Sequence, residues 1–127
     1  MDGTEAVSSY RDLLVWQRAM DLAEHCYLAT RNFPREETYG LTSQIRRSAS
    51  SEAANIAEGY GRNSSGAYVQ FLKNAQGSVK ELETHLILSR RVGMLGAELE
   101  TAVLARTDEV GRMLRSLIRS IQKSASS

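Results

Sequence analysis

The residues with the most chemical reach in this 127-residue sequence are His25, Cys26, His85 and a row of cations, Arg112, Arg115, Arg119 and Lys123. A di-iron site between helices needs a Glu-x-x-His pair on each of two helices, so that carboxylate and imidazole face inward one turn apart. Leu22 stands three residues before His25 and Leu82 three before His85, so neither histidine fits. His25 and Cys26 are adjacent and diverge on a helix, which keeps them from sharing one metal. Glu81 and His85, at i,i+4, read as a surface pair. Cys26 falls on an apolar stripe, where a thiol packs as a small hydrophobe and is inert. Gly59-x-Gly61 follows a helix rather than a strand and so makes no dinucleotide loop. These residues predict no catalytic centre, no metal and no cofactor.

The cation row is the candidate binding feature. Arg112, Arg115, Arg119 and Lys123 recur at three- and four-residue steps, which puts them on one helix face where they could follow a phosphate backbone of RNA or DNA. The alternative is a solvated helix. Glu98 and Glu100 near its start and cations near its end are what the helix dipole favours in any case. Arg46, Arg47 and Arg62 form a second basic set, for which Glu58, Glu81 or Glu83 would be partners inside the fold. No aromatic residues interleave with either set to stack bases.

These groups must be positioned by helices, and the most unusual stretch lies between residues 44 and 62. Seven of the ten residues from Ser48 to Ala57 are Ser or Ala, so neighbouring helices can approach that backbone closely. Leu41, Ile45, Ala49, Ala53, Ile56 and Tyr60 make an apolar stripe along it, and Gln44, Arg47, Ser51, Asn55, Glu58 and Arg62 a polar one. Packed against other helices, that polar stripe predicts a buried network of Arg47, Asn55, Glu58, Arg62, Ser78 and Glu81, because an unpaired buried charge costs on the order of several kcal/mol.

Gln44-Ile45-Arg46-Arg47, Asn55-Ile56-Ala57-Glu58-Gly59-Tyr60, Phe71-Leu72, Ala75, Gly77-Ser78 and Glu81-Leu82-Glu83 resemble the signature of a bacterial four-helix-bundle family, the 23S rRNA intervening-sequence proteins. Val15-Trp16-Gln17 and Phe33-Pro34-Arg35-Glu36-Glu37 fit its first helix and first turn, so the resemblance covers residues 10 to 95. Where the family has an Ile-Pro pair in its second helix, this sequence has Glu52-Ala53. The resemblance implies closed rings, typically of five subunits, without assigned catalysis. A distantly similar branch, the accessory variability protein of diversity-generating retroelements, is markedly basic, binds nucleic acid and partners a reverse transcriptase; the balance here is only +1.

That balance, 16 basic against 15 acidic residues, means that any attraction to nucleic acid is local rather than global. Thirteen of the basic residues are arginine, which favours paired and bidentate contacts. One cysteine excludes an internal disulfide, and the lack of an apolar run near 18 residues points to a cytoplasmic protein with no membrane partner.

One proline and few aromatics leave long helical stretches and an all-α fold. Residues 1 to 9 read as a loose tail, and helices are predicted from about 10 or 12 to 31, from 40 to 59 or 61, from 65 to 91 and from 97 to 122, with residues 124 to 127 frayed. Gly59 or Gly61 is expected to take a left-handed cap, and Gly77 to mark a close helix crossing. Asn63-Ser64-Ser65 is expected to supply the N-cap of helix three, and Glu36-Glu37 suits the start of helix two.

On helix three Tyr68, Phe71, Leu72, Ala75, Val79, Leu82, Leu86 and Ser89 are expected inward, and on helix four Leu99, Val103, Val110, Leu114, Leu117, Ile118 and Ile121. Four such helices with short connections, within residues 10 to 123, pack as an antiparallel up-down-up-down bundle. Helix one has two stripes: Val15, Ala19, Leu22, Cys26, Ala29 and Phe33, and beside it Trp16, Met20, Ala23, Tyr27 and Thr30. That is wider than one bundle core needs. Either its own chain covers the surplus, or Trp16, Met20, Ala23 and Tyr27 meet a partner subunit. The sequence thus predicts a non-enzymatic homo-oligomer with RNA or DNA as ligand, the alternative being an adaptor that binds another protein.

Overall fold

A computed structural model describes residues 7–126. After a single 3-10 turn at Tyr10–Asp12 come α1 (Leu14–Ala29), a second 3-10 turn at Arg35–Glu37, α2 (Leu41–Tyr60), α3 (Ser65–Arg91) and α4 (Ala97–Ser126). α1 packs on α2 and α4, α3 packs on α2 and α4, and the diagonal pairs do not meet. That cyclic order with short connections is the antiparallel up-down-up-down four-helix bundle.

Each helix begins or ends where local chemistry allows. The Ser9 hydroxyl accepts from the Arg11 amide at 3.2 Å while the Asp12 carboxylate accepts from the Ser8 and Ser9 amides, a reciprocal cap that holds a tight turn and delays α1 to Leu14. Pro34 lies beyond the end of α1, and Thr30 closes that helix by donating to the Cys26 carbonyl at 2.8 Å. The Glu37 carboxylate accepts from the Leu41 amide at 3.0 Å, so an acid caps α2 as expected. Ser64 caps α3 through the Ala67 amide at 3.1 Å.

The core is the inner stripe of all four helices. Leu22, Ile45, Ile56, Leu72, Leu82, Leu86 and Leu114 are fully buried, each contributing about 1.5–3 kcal/mol relative to exposure. Small residues set the spacing: Ala49 and Ala53 of α2 are buried, and a Cβ placed on Gly59 would lie 2.8 Å from the Phe71 Cβ. Gly59 therefore marks where α2 and α3 come closest.

Several expectations are corrected. Gly59 is inside α2, and Gly61 caps it at φ −82°, in the right-handed region; the left-handed glycine is Gly93 after α3, at φ +82°. Gly77 has open space around it, so no helix crossing explains a residue that weakens a helix by about 1 kcal/mol. Leu99 is exposed rather than inward, and Thr107, its hydroxyl tied to the Leu104 carbonyl at 2.8 Å, fills a core position on α4. Val69 is buried, whereas Tyr68 and Phe71 are half-buried against α2.

The expected loose tail, 1 to 9, lies outside the described residues over 1–6. At its end, the Val7 carbonyl accepts from the Tyr60 hydroxyl at 2.9 Å. α4 runs on past Gln122 to Ser126, into the stretch expected to fray, and Ser127 lies outside the described residues. α2 is continuous through Glu52-Ala53.

Candidate nucleic-acid interface

The row on α4 is exposed along its length. Arg112 is held by Asp108, one turn earlier, at 3.2 Å. Among the described residues no acid comes within ion-pair distance of Arg115, Arg119 or Lys123. They form no ion pair, in contrast to Arg18, Arg62 and Arg90, each of which meets an acid, although Glu83 and Asp108 line one cleft with Arg115. Three guanidinium or ammonium groups at one-turn spacing can each donate to a separate phosphate.

The second basic set is dispersed. Arg46 crosses to α1, donating to the Thr30 hydroxyl at 2.9 Å and lying 4.6 Å from the centre of the Tyr27 ring. Arg62 meets Glu58 at 3.7 Å and stacks over Phe71 at 4.5 Å. Arg47 instead lines a polar groove of about 530 Å³ between α2 and α3, with Ser51, Ser78, Glu81 and His85.

The predicted buried network is therefore corrected. Arg47, Glu58, Arg62 and Glu81 are exposed, Asn55 and Ser78 half-buried. The reason is angular. The stripe of Ile45, Ala49, Ala53 and Ile56 turns inward, so Arg47 and Glu81 lie at the open α2–α3 groove while Glu58 and Arg62 pair with each other at the surface. What remains is a short chain of hydrogen bonds: the Asn55 amide donates to the Ser51 hydroxyl at 3.1 Å, and Ser51 and Ser78 hydroxyls meet at 2.9 Å across the two helices.

The buried charge-bearing group is one the sequence reading passed over. Glu52 is fully buried, and neither carboxylate oxygen has a hydrogen-bond partner. Burial first, and the Glu83 charge second, push its carboxyl up from 4.5 to about 9, so it is a neutral acid at neutral pH. The spacing could have revealed it, since Glu52 stands three residues after Ala49 and four before Ile56, on the apolar stripe. Burial, with Glu52 as the lesser cause, pushes the Cys26 thiol up to about 12, which agrees with an inert packed cysteine.

Along α1, Met20, Tyr27 and Leu28 are 41, 47 and 55 % exposed, while Ala23 is buried and Trp16 half-buried against Tyr10, ring centres 5.2 Å apart. Met20, Ala23, Tyr27 and Leu28 line one shallow apolar groove with Ser50 of α2. Trp16 thus belongs to a separate contact with the chain's own 3-10 turn.

Among the described residues, no group of three His, Cys, Asp or Glu could hold a metal ion, and no helix is long and apolar enough to cross a membrane. Glu81 and His85 approach only to 3.9 Å, with Glu81 exposed, as a surface pair.

A four-helix bundle with a polar α2–α3 groove and a basic outer face on α4 defines a small all-α bundle protein. The sequence model of the 23S rRNA-intervening sequence protein family matches residues 11–116, and the chain belongs to that family. A crystal structure from Bacteroides thetaiotaomicron, described as a protein with unknown function from the S23 ribosomal protein family, is similar in fold: TM-score 0.75, 24% identity, covering 83% of this chain and 98% of that one. No curated protein matches the sequence.

Proposed function

We propose that this protein is a non-catalytic, cytoplasmic helical module that assembles with copies of itself and holds RNA or DNA by the phosphate backbone. The observation that carries the reading is the exposed trio Arg115, Arg119 and Lys123, spaced one turn apart on α4 and forming no ion pair among the described residues. Three phosphate contacts give a slope of log K against log salt of about −2.7 on B-DNA, or roughly a 40-fold loss between 50 and 200 mM salt. Such binding is weak for one subunit and sums when several act together. The apolar strip of Met20, Tyr27 and Leu28 on α1 supports self-association, and the family resemblance implies a ring of five.

The test is a gel shift at low salt with RNA and DNA, using wild type and the Arg115→Glu/Arg119→Glu variant, with light scattering to report mass. Retardation by wild type and its loss in the variant, at unchanged mass, is the expected result. A wild type that assembles but retards neither nucleic acid overturns the binding reading and leaves an adaptor that receives another protein on the α1 groove.

A further inference from the structure

Between other helices of the bundle, opposite charges close on one another: Arg18 of α1 meets Glu109 of α4 at 3.9 Å, and Arg90 of α3 meets Glu100 of α4 at 4.0 Å. The α2–α3 groove is different. Arg47 on its α2 wall and Glu81 on its α3 wall line the same hollow, yet they form no ion pair with each other. The Arg47 guanidinium has no hydrogen-bond or ion-pair partner among the described residues, and Glu81 instead leans along its own helix to within 3.9 Å of the His85 Nε2.

Small side chains keep the space between those charges open. At one end of the groove the Ser51 and Ser78 hydroxyls meet at 2.9 Å and tie α2 to α3; at the other stands Tyr39, exposed just before α2 begins. His85 is the covered polar group of the wall. Its side chain is only 16 % exposed, and neither ring nitrogen makes a hydrogen bond among the described residues, so one donor and one acceptor of the neutral imidazole are available to a ligand.

The volume, about 530 Å³, is that of a small-molecule site, which spans roughly 300–1,000 Å³. Its lining decides the ligand's chemistry. Hydroxyls and ions lose their solvent when a ligand covers them, so the ligand must offer hydrogen bonds over most of its surface. A plain anion gains from Arg47 but is repelled by Glu81, and a plain cation meets the converse. A molecule that carries both signs gains from each wall.

We infer that the α2–α3 groove binds a free α-amino acid, its carboxylate held by the Arg47 guanidinium and its ammonium by the Glu81 carboxylate, with Ser51, Ser78 and His85 left to hydrogen-bond a polar side chain. A guanidinium matches a carboxylate with two parallel hydrogen bonds, which fixes the ligand's orientation. No residue of α4 lines the groove, so this site is independent of the phosphate-binding reading above.

The test is differential scanning fluorimetry of the full chain with each of the twenty L-amino acids, followed by isothermal titration of those that raise Tm. At least one should raise Tm, by about 4 °C at ten times its Kd. Its methyl ester, which lacks the carboxylate, and its N-acetyl derivative, which lacks the ammonium, should each bind at least about tenfold more weakly, as should inorganic phosphate. Arg47→Gln and Glu81→Gln should each weaken the amino acid at least about tenfold, while the ligand-free Tm stays within about 1 °C of wild type because both side chains are exposed. No rise in Tm with any amino acid overturns the inference. So does a methyl ester, N-acetyl derivative or phosphate that binds as tightly as the amino acid, or an affinity unaltered in either variant.

Discussion

Replacing Glu52 should stabilise this protein, and the gain should depend on pH. In the folded chain the carboxyl is fully buried with both oxygens unpartnered, and its pKa is raised from 4.5 to about 9. Between those two values the unfolded chain has released the proton and the folded chain still holds it, so stability falls as pH rises, by about 1.4 kcal/mol per unit. The contribution is complete below pH 4.5, reduced by about 3 kcal/mol at pH 7 and exhausted near pH 9.

Glu52→Gln removes the ionisation while keeping a polar group, so its stability should lose this downward slope. Glu52→Met removes the polar oxygens as well. It should exceed Glu52→Gln by about 1–3 kcal/mol, the penalty of an unsatisfied buried polar group. Urea denaturation of the three proteins at pH 5, 7 and 8.5 reads both effects. Parallel pH profiles for wild type and Glu52→Gln would refute the argument, as would a Glu52→Met protein less stable than wild type at pH 8.5.

Three further outcomes follow from particular contacts. Gly59→Ala should destabilise by about 2 kcal/mol in thermal or urea unfolding, since its new methyl meets the Phe71 Cβ at 2.8 Å, an atom tied to the α3 backbone that cannot swing aside. Cys26, fully buried with its thiol pushed up to about 12, should resist alkylation at pH 8 in the native protein and react stoichiometrically in urea. Met20→Glu/Tyr27→Glu should leave helicity by circular dichroism unchanged but bring the light-scattering mass down toward the 14.1 kDa of one chain; an unaltered high mass would place the subunit contact elsewhere.

The helices and most of the core were legible in the sequence because helix periodicity is a local property. Val15, Ala19, Leu22, Cys26 and Ala29 recur at three- and four-residue steps and all are buried. The Ser64 and Glu37 caps were equally readable, since each bonds an amide only three or four residues away. The candidate α4 row was readable as a face, but which acids come near it was not, because that depends on α3, which brings Glu83 into the cleft that Arg115 lines.

Spacing alone established four amphipathic helices and the residues that share each of their faces. Tertiary structure decided which glycine is squeezed and which is open, that Glu52 sits dry while Arg47, Glu58 and Glu81 remain wet, and that Lys80 and Glu83 of α3 share a cleft with Arg115 of α4. Those outcomes turn on how helices rotate and approach one another in the bundle, and residues distant along the chain carry no local trace of that rotation.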